Sequence, residues 1–222
     1  MKKGIKLNFS KFEPNFDGKL MYFINAPFFL RWYYPNVTWN KSRNDKKLYL
    51  TFDDGPIPTL TPWILDLLKE KGVVATFFCV GENIIKYPEI FQRIKAEGHQ
   101  VGNHTFNHLK GWDYDDATYY ENVMKCQALT QTKLFRPPYA RATKSQLRLL
   151  KDNFDCIYWD VLSGDFDTTI TPEKCLQNVL KYGRNGSIIV FHDNLKATAR
   201  LQYALPAVID HYKVKGYQFC TL

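Results

Sequence analysis

Two adjacent carboxylates, Asp53 and Asp54, stand in Thr51-Phe52-Asp53-Asp54-Gly55-Pro56, where an apolar run breaks into a Gly-Pro turn. Ionised neighbours repel, so a fold that keeps both in a cleft needs a cation or a shared proton. A metal with one acid as ligand and the other as base meets that need; the bland alternative is an Asp-Gly turn with both acids in solvent. His104-Thr105-Phe106-Asn107-His108 offers two imidazoles four residues apart. On a helical turn they project the same way and present two nitrogens to one Zn²⁺. With Asp54 they make a set that leaves positions for water, as catalytic zinc requires. Arg136-Pro137-Pro138-Tyr139 holds an arginine in a proline-stiffened loop, fit to orient a carboxylate. Asp165-Phe166 and Val190-Phe191-His192-Asp193 follow two further apolar runs. A lone histidine after a strand is more often structural, but here it joins other polar clusters at strand ends.

Those clusters need elements to bring them together. From Lys47 onward, β-rich runs alternate with amphipathic segments that end in glycine, the pattern of a parallel α/β sheet or barrel. Strands are expected at Leu48–Phe52, Val73–Val80, His99–Gly102, Leu134–Arg136, Cys156–Trp159, Ser187–Phe191 and Tyr217–Leu222. The first helix is expected to be capped by Thr61, with Pro62 at its first position and Gly72 at its end. Others are expected from Pro88 to Gly98 and at Ala117–Leu129, Lys144–Lys151, Pro172–Tyr182 and Arg200–Lys213. In such a fold the loops after the strands share one face, so distant clusters converge there.

Composition bounds the alternatives. The chain has 222 residues, 45% apolar and 23% charged, which suits one globular domain with a large core. A net charge of +8 names no partner by itself. Zinc-finger spacing, an aromatic-basic RNA signature and a phosphate-cradling glycine loop are all missing, so nucleic acid is not the expected target. Cys79, Cys126, Cys156, Cys175 and Cys220 read as buried reduced thiols. Lys6, Asn8, Ser10 and Lys11 interrupt any signal-peptide core, so the location expected from sequence is cytoplasmic. Residues 1–46 differ from the rest and read as an extension laid over a catalytic domain at 47–222. Its aromatic-basic stretch 21–39, with Phe28, Phe29, Arg31, Trp32 and Tyr33, could instead touch a membrane interface. No protein partner is inferable.

Taken in order and spacing, Thr51–Pro56, His104–His108, Arg136–Tyr139, Asp165-Phe166 and Val190–His192 resemble the polysaccharide deacetylase family, carbohydrate esterase family 4. The resemblance runs from about Leu48 to Leu222 and implies a distorted (β/α) barrel with about seven parallel strands. It implies hydrolysis of N-acetyl groups on an oligo- or polysaccharide or glycoconjugate, with Asp54, His104 and His108 holding a metal. That metal is expected to be Zn²⁺, with Co²⁺, Ni²⁺ or Mn²⁺ as alternatives. It further implies Asp53 as base, oriented by Arg136, and His192 as acid, supported by Asp165. Tyr139 would supply an oxyanion-binding N–H, while Pro138, Tyr139, Phe166 and Val190 would contact substrate. Ala140, Leu162, Phe166 and Val190 depart from the usual Gly, acidic residue, Trp and Leu, which bears on pocket shape. An O-acetyl esterase or non-sugar amidase on this fold stays open. A non-catalytic glycan binder would be expected to have lost a ligand or Asp53, and neither is lost.

Overall fold

The computed structural model describes residues 22–222, so residues 1–21 of the expected extension lie outside it. Strand β1 (Lys47–Asp53) is the axis of the sheet. Alternation along it sends Leu48, Leu50 and Phe52 into the core beneath the helices and turns Tyr49, Thr51 and Asp53 to the inside. β1 pairs in parallel with β2 (Thr76–Cys79) on one side and β7 (Ile188–His192) on the other. Beyond β2 lie β3 (Gln100–Asn103), β4 (Leu134–Phe135) and β5 (Asp155–Cys156); beyond β7 lies β6 (Val161–Leu162). The path β5-β4-β3-β2-β1-β7-β6 gives seven parallel strands, and β8 (Gln218–Phe219) pairs with the start of β1. The sheet curls into an incomplete barrel, which bears out the expected class.

The helices follow their caps. α5 (Asp116–Thr130) starts at Asp115, whose carboxylate accepts from the Thr118 N–H. A capping box between Thr143 and Gln146 opens α6 (Lys144–Leu150). α7 (Pro172–Tyr182) opens with Thr171 and a proline in its first turn, and packs against α8 (Thr198–Val214). α4 (Pro88–Ala96) buries Ile90, Phe91 and Ile94 as its spacing requires. Two six-residue helices escape sequence detection: α1 (Phe28–Tyr33), inside the extension, and α3 (Gly81–Lys86).

Three expectations need correction. α2 (Leu60–Lys71) begins one residue before Thr61, and Thr61 does not cap it; its hydroxyl instead donates to Asp193 at 2.6 Å and accepts from the Ile57 N–H. The strand expected at Cys156–Trp159 ends at Cys156, because the carbonyls of Ile157 and Tyr158 are taken by the Arg136 guanidinium. The chain then re-enters the sheet as β6, on the opposite edge. Cys79, Cys126 and Cys175 are buried free thiols, whereas Cys156 and Cys220 are only partly covered.

The extension occupies the gap between the two sheet edges. Thr38 bridges Ile157 beyond β5, with two 2.8 Å backbone bonds, while Asn25 bridges Val161 in β6. Asp160, fully buried, accepts from Arg31 and, at 2.8 Å, from Arg43. Phe28, Phe29 and Trp32 remain exposed on α1. Among the described residues no helix is long and apolar enough to cross a membrane.

Candidate active site

Each cluster singled out in the sequence lies at the C-terminal end of a strand, and the parallel sheet turns all these ends to one face. Asp53 closes β1 and sits in register with His192, which closes β7, so the two side chains leave neighbouring strands at one level on the inner face. Arg136, fully buried just after β4, reaches across the barrel to donate to Asp53 Oδ1 at 2.6 Å. Its other bonds go to the Thr51 hydroxyl and the carbonyls of Ile157 and Tyr158, and the Phe78 ring lies 4.0 Å beneath it. Every bond holds the guanidinium in one pose. Desolvating two charges cancels most of their Coulomb gain, so net stability is a poor reason for such a pair. Fixing Asp53 in space is a better one.

Asp54 points elsewhere. Its φ of 88° reverses the chain direction relative to Asp53 and carries the carboxylate to His104 and His108. Oδ1 lies 3.0 Å from His108 Nε2 and 3.6 Å from His104 Nε2, while Oδ2 accepts from Asn194 and the Asp54 carbonyl from Asn83. Burial would raise the Asp54 carboxyl, but the two imidazoles and the His192 charge outweigh it and hold it well below the usual carboxylate range. His104 uses Nδ1 on the Arg136 carbonyl at 2.7 Å, which leaves its Nε2 to face the acid. That bond makes Nδ1 the protonated nitrogen and Nε2 the lone-pair donor, the tautomer that a metal ligand needs. The three ligand atoms lie within 4.8 Å of one another, so one small cation fits the set.

The two histidines converge without the expected helical turn. The segment is a loop in which Thr105 (φ 65°) and His108 (φ 57°) adopt left-handed conformations. Five of the seven non-glycine residues with positive φ among those described border this site: Asp54, Thr105, His108, Tyr139 and Ala140. Left-handed conformations cost roughly 1–2 kcal/mol each for L-residues, and strain of this kind collects where side chains must be aimed.

His192 is held by both oxygens of Asp165: Oδ1 lies 2.8 Å from its Nδ1, and Oδ2 accepts from its backbone N–H at 2.7 Å. Burial lowers the imidazole, yet Asp165, Asp54 and Asp53 outweigh it and push His192 up to about 9. At neutral pH it therefore carries a proton, with Nε2 free of the Asp165 bond. Phe166 stacks edge-on against it at 5.0 Å, and Val190 is fully buried two residues before it on the same strand face. Pro138 is buried, whereas the Tyr139 ring is exposed beside His108 at 4.8 Å.

A profile described as polysaccharide deacetylase matches residues 40–153. The chain belongs to the polysaccharide deacetylase family. It is 30% identical over 193 residues to a peptidoglycan-N-acetylglucosamine deacetylase of Bacillus cereus, covering 84% of this chain and 91% of the relative. A chitooligosaccharide deacetylase of Azorhizobium caulinodans is 28% identical, with 75% and 90% covered. Among solved structures, a peptidoglycan N-acetylglucosamine deacetylase in complex with a naphthalenyl N-hydroxybenzamide aligns with a TM-score of 0.81 at 33% identity, covering 89% of this chain and 95% of that one.

Within this family member, four residues to which the sequence assigned no role support the site. Thr51 sets the Arg136 pose and was detectable, since it shares the strand face of Asp53 two positions on. Asn83 and Asn194 fix the Asp54 main chain and side chain, and an isolated asparagine announces nothing by spacing. Asp193 accepts from the Gly55 N–H at 2.9 Å, and a Cβ at Gly55 would come within 1.8 Å of that carboxylate. Only glycine lets the two loops approach this closely.

Proposed function

We propose that this chain is a metal-dependent hydrolase that removes acetyl groups from N-acetylated sugars of an oligo- or polysaccharide or glycoconjugate. The observation that carries the reading is the paired placement of Asp53 and His192, in register on neighbouring strands and each clamped by its own counter-charge, beside the Asp54, His104 and His108 set. Those three residues would hold the metal, and a carboxylate with two imidazoles and open positions suits Zn²⁺ best, with Co²⁺, Ni²⁺ or Mn²⁺ as alternatives. When bound, the metal supplies Lewis acidity to the acyl carbonyl and acidifies water.

The residues of the chain divide the remaining work. Asp53, fixed by Arg136, takes a proton from the attacking water as its oxygen bonds to the acyl carbon. The backbone N–H of Tyr139 donates to the oxyanion that develops on the former carbonyl. The C–N bond then breaks as His192 hands its proton to the departing nitrogen, so acetate and a free amine leave. Asp165 holds the imidazole in the pose for that transfer. Phe166 and Val190 enclose the acetyl methyl, while Pro138 and the exposed ring of Tyr139 meet the sugar. The relatives named for peptidoglycan and chitooligosaccharide deacetylation support an N-acetylglucosamine-containing substrate.

Asp53→Asn tests the assignment. Zinc content measured on the purified variant should match the wild type, while acetate release from a panel of N-acetylated oligosaccharides should fall at least about 10²-fold. A variant that keeps its turnover would remove Asp53 from the role of base. Acetate released only from O-acetylated sugars would overturn the substrate class.

A further inference from the structure

The extension reaches the reaction centre through Tyr22. Residues 22–25 run alongside β6: the Leu162 N–H donates to the Ile24 carbonyl at 2.8 Å, Asn25 Nδ2 donates to the Asp160 carbonyl, and Asn25 bridges Val161 in antiparallel fashion. This places the Tyr22 ring 5.0 Å from Phe166, whose ring also meets the His192 ring at 5.0 Å. The Tyr22 hydroxyl donates to Asp167 Oδ2 at 2.8 Å, and Asp167 is itself buried and tied to Thr169. Gly164 lies so close that a Cβ there would come within 3.1 Å of the same hydroxyl. Burial first, and Asp167 next, push the phenol up, so it stays a donor. Tyr22 also borders a cavity of about 1010 Å³ with Ile24, Thr169 and Ile170. Without the tyrosine ring, Phe166 would lose this packing partner, and the space the ring fills would join the cavity.

We propose that Tyr22 is a positioning residue for the deacetylation: it backs Phe166, thereby setting both the depth of the acyl pocket and the stance of His192, and so restricts the enzyme to acetyl. The proposal rests on the N-deacetylase reading above. It gives the extension a place in selectivity, through one ring packed on another.

The test compares wild type, Tyr22→Phe and Tyr22→Ala on the best N-acetylated oligosaccharide and its N-propionyl counterpart, with kcat and KM measured separately. A pocket wall that yields by one methylene changes discrimination about tenfold or more. Tyr22→Ala should therefore raise the propionyl-to-acetyl ratio of kcat/KM about tenfold and lower kcat on acetyl by a similar factor, with KM nearly unchanged. Tyr22→Phe keeps the ring and should stay close to wild type. Independently of turnover, the His192 ring resonances of isotope-labelled protein at fixed pH should move in Tyr22→Ala and hold still in Tyr22→Phe. Should the alanine variant not fold, Tyr22→Leu carries the same test with a smaller expected change. An active wild type whose selectivity and His192 resonances are indifferent to the loss of the ring overturns the proposal alone. A phenylalanine variant as altered as the alanine one overturns it too, since the hydroxyl would then be responsible. A wild type inactive on both substrates overturns the deacetylase reading beneath it.

Discussion

Asp53 and Asp54 share a peptide bond and almost nothing else. One faces a guanidinium with every nitrogen engaged, the other two imidazoles and an asparagine amide, and the left-handed turn at Asp54 parts them. The same division recurs at His192, which burial alone would strip of its proton and which Asp165 restores. The consequence is a pH dependence with a definite sign. As the acid, His192 must be protonated, so activity is lost as pH rises through its pKa, which Asp165 raises above the ordinary imidazole value. Asp165→Asn removes both the charge and the charged hydrogen bond that raise this value, while burial stays. The basic limb of kcat against pH should therefore move to lower pH, and kcat at its optimum should fall by roughly 10²–10⁴, as when a histidine loses its orienting carboxylate. A cation bound at Asp54 lowers the limb of both proteins alike, so the comparison stands. A variant with an unmoved basic limb would remove His192 from the role of acid.

Among the elements, the loop after β4 does the most aiming with the least regular structure. Tyr139 and Ala140 hold φ of 59° and 55°, so a non-glycine pair makes a turn whose second position suits glycine better. Ala140→Gly should relieve about 1 kcal/mol of strain, raising Tm by about 2–4 °C with kcat/KM little changed. A lower Tm would mean that the alanine methyl packs more than the backbone suffers. Such loops are where sequence reading stops. β1 and β7 were legible because their residues alternate between a helix-covered face and an inner face, and the polar clusters were legible because each follows such a run. The break between β5 and β6 was not, since Cys156–Trp159 reads as one apolar run and the break in it is made by Arg136, some twenty positions away. The histidine spacing was read through a helical turn that does not exist; the convergence was right, but two left-handed residues produce it. Thr61 looked like a cap because its neighbours fit one, and its hydroxyl was needed by Asp193 instead.

At the scale of the molecule, an incomplete barrel leaves two sheet edges, and the chain closes the gap with its own extension. Asp160 is the fastening. Burial would raise its carboxyl, but the Ser187 hydroxyl with Arg43 and Arg31 overcomes this and holds it below 3.8. Asp160→Asn keeps the shape and removes the charge. Breaking a fully buried pair costs about 3–5 kcal/mol; here the arginine side chains are 25% and 31% exposed and keep water when released. About 2–3 kcal/mol is the discounted expectation, a fall in Tm of roughly 5–10 °C. The pH dependence follows from the sign of the shift. A carboxyl with a depressed folded pKa contributes fully above its unfolded value and loses that contribution as pH falls through the folded one. The stability gap between wild type and Asp160→Asn should thus be constant near neutrality and close below pH 3.8. A gap that persists in acid would assign the loss to packing rather than charge. Because Asn25, three residues after Tyr22, donates to the main-chain carbonyl of Asp160, a shift of this segment on loss of the carboxylate should also reproduce part of the Tyr22→Ala change in acyl selectivity. Stability lost with selectivity intact would separate the fastening of the barrel from the shaping of its pocket.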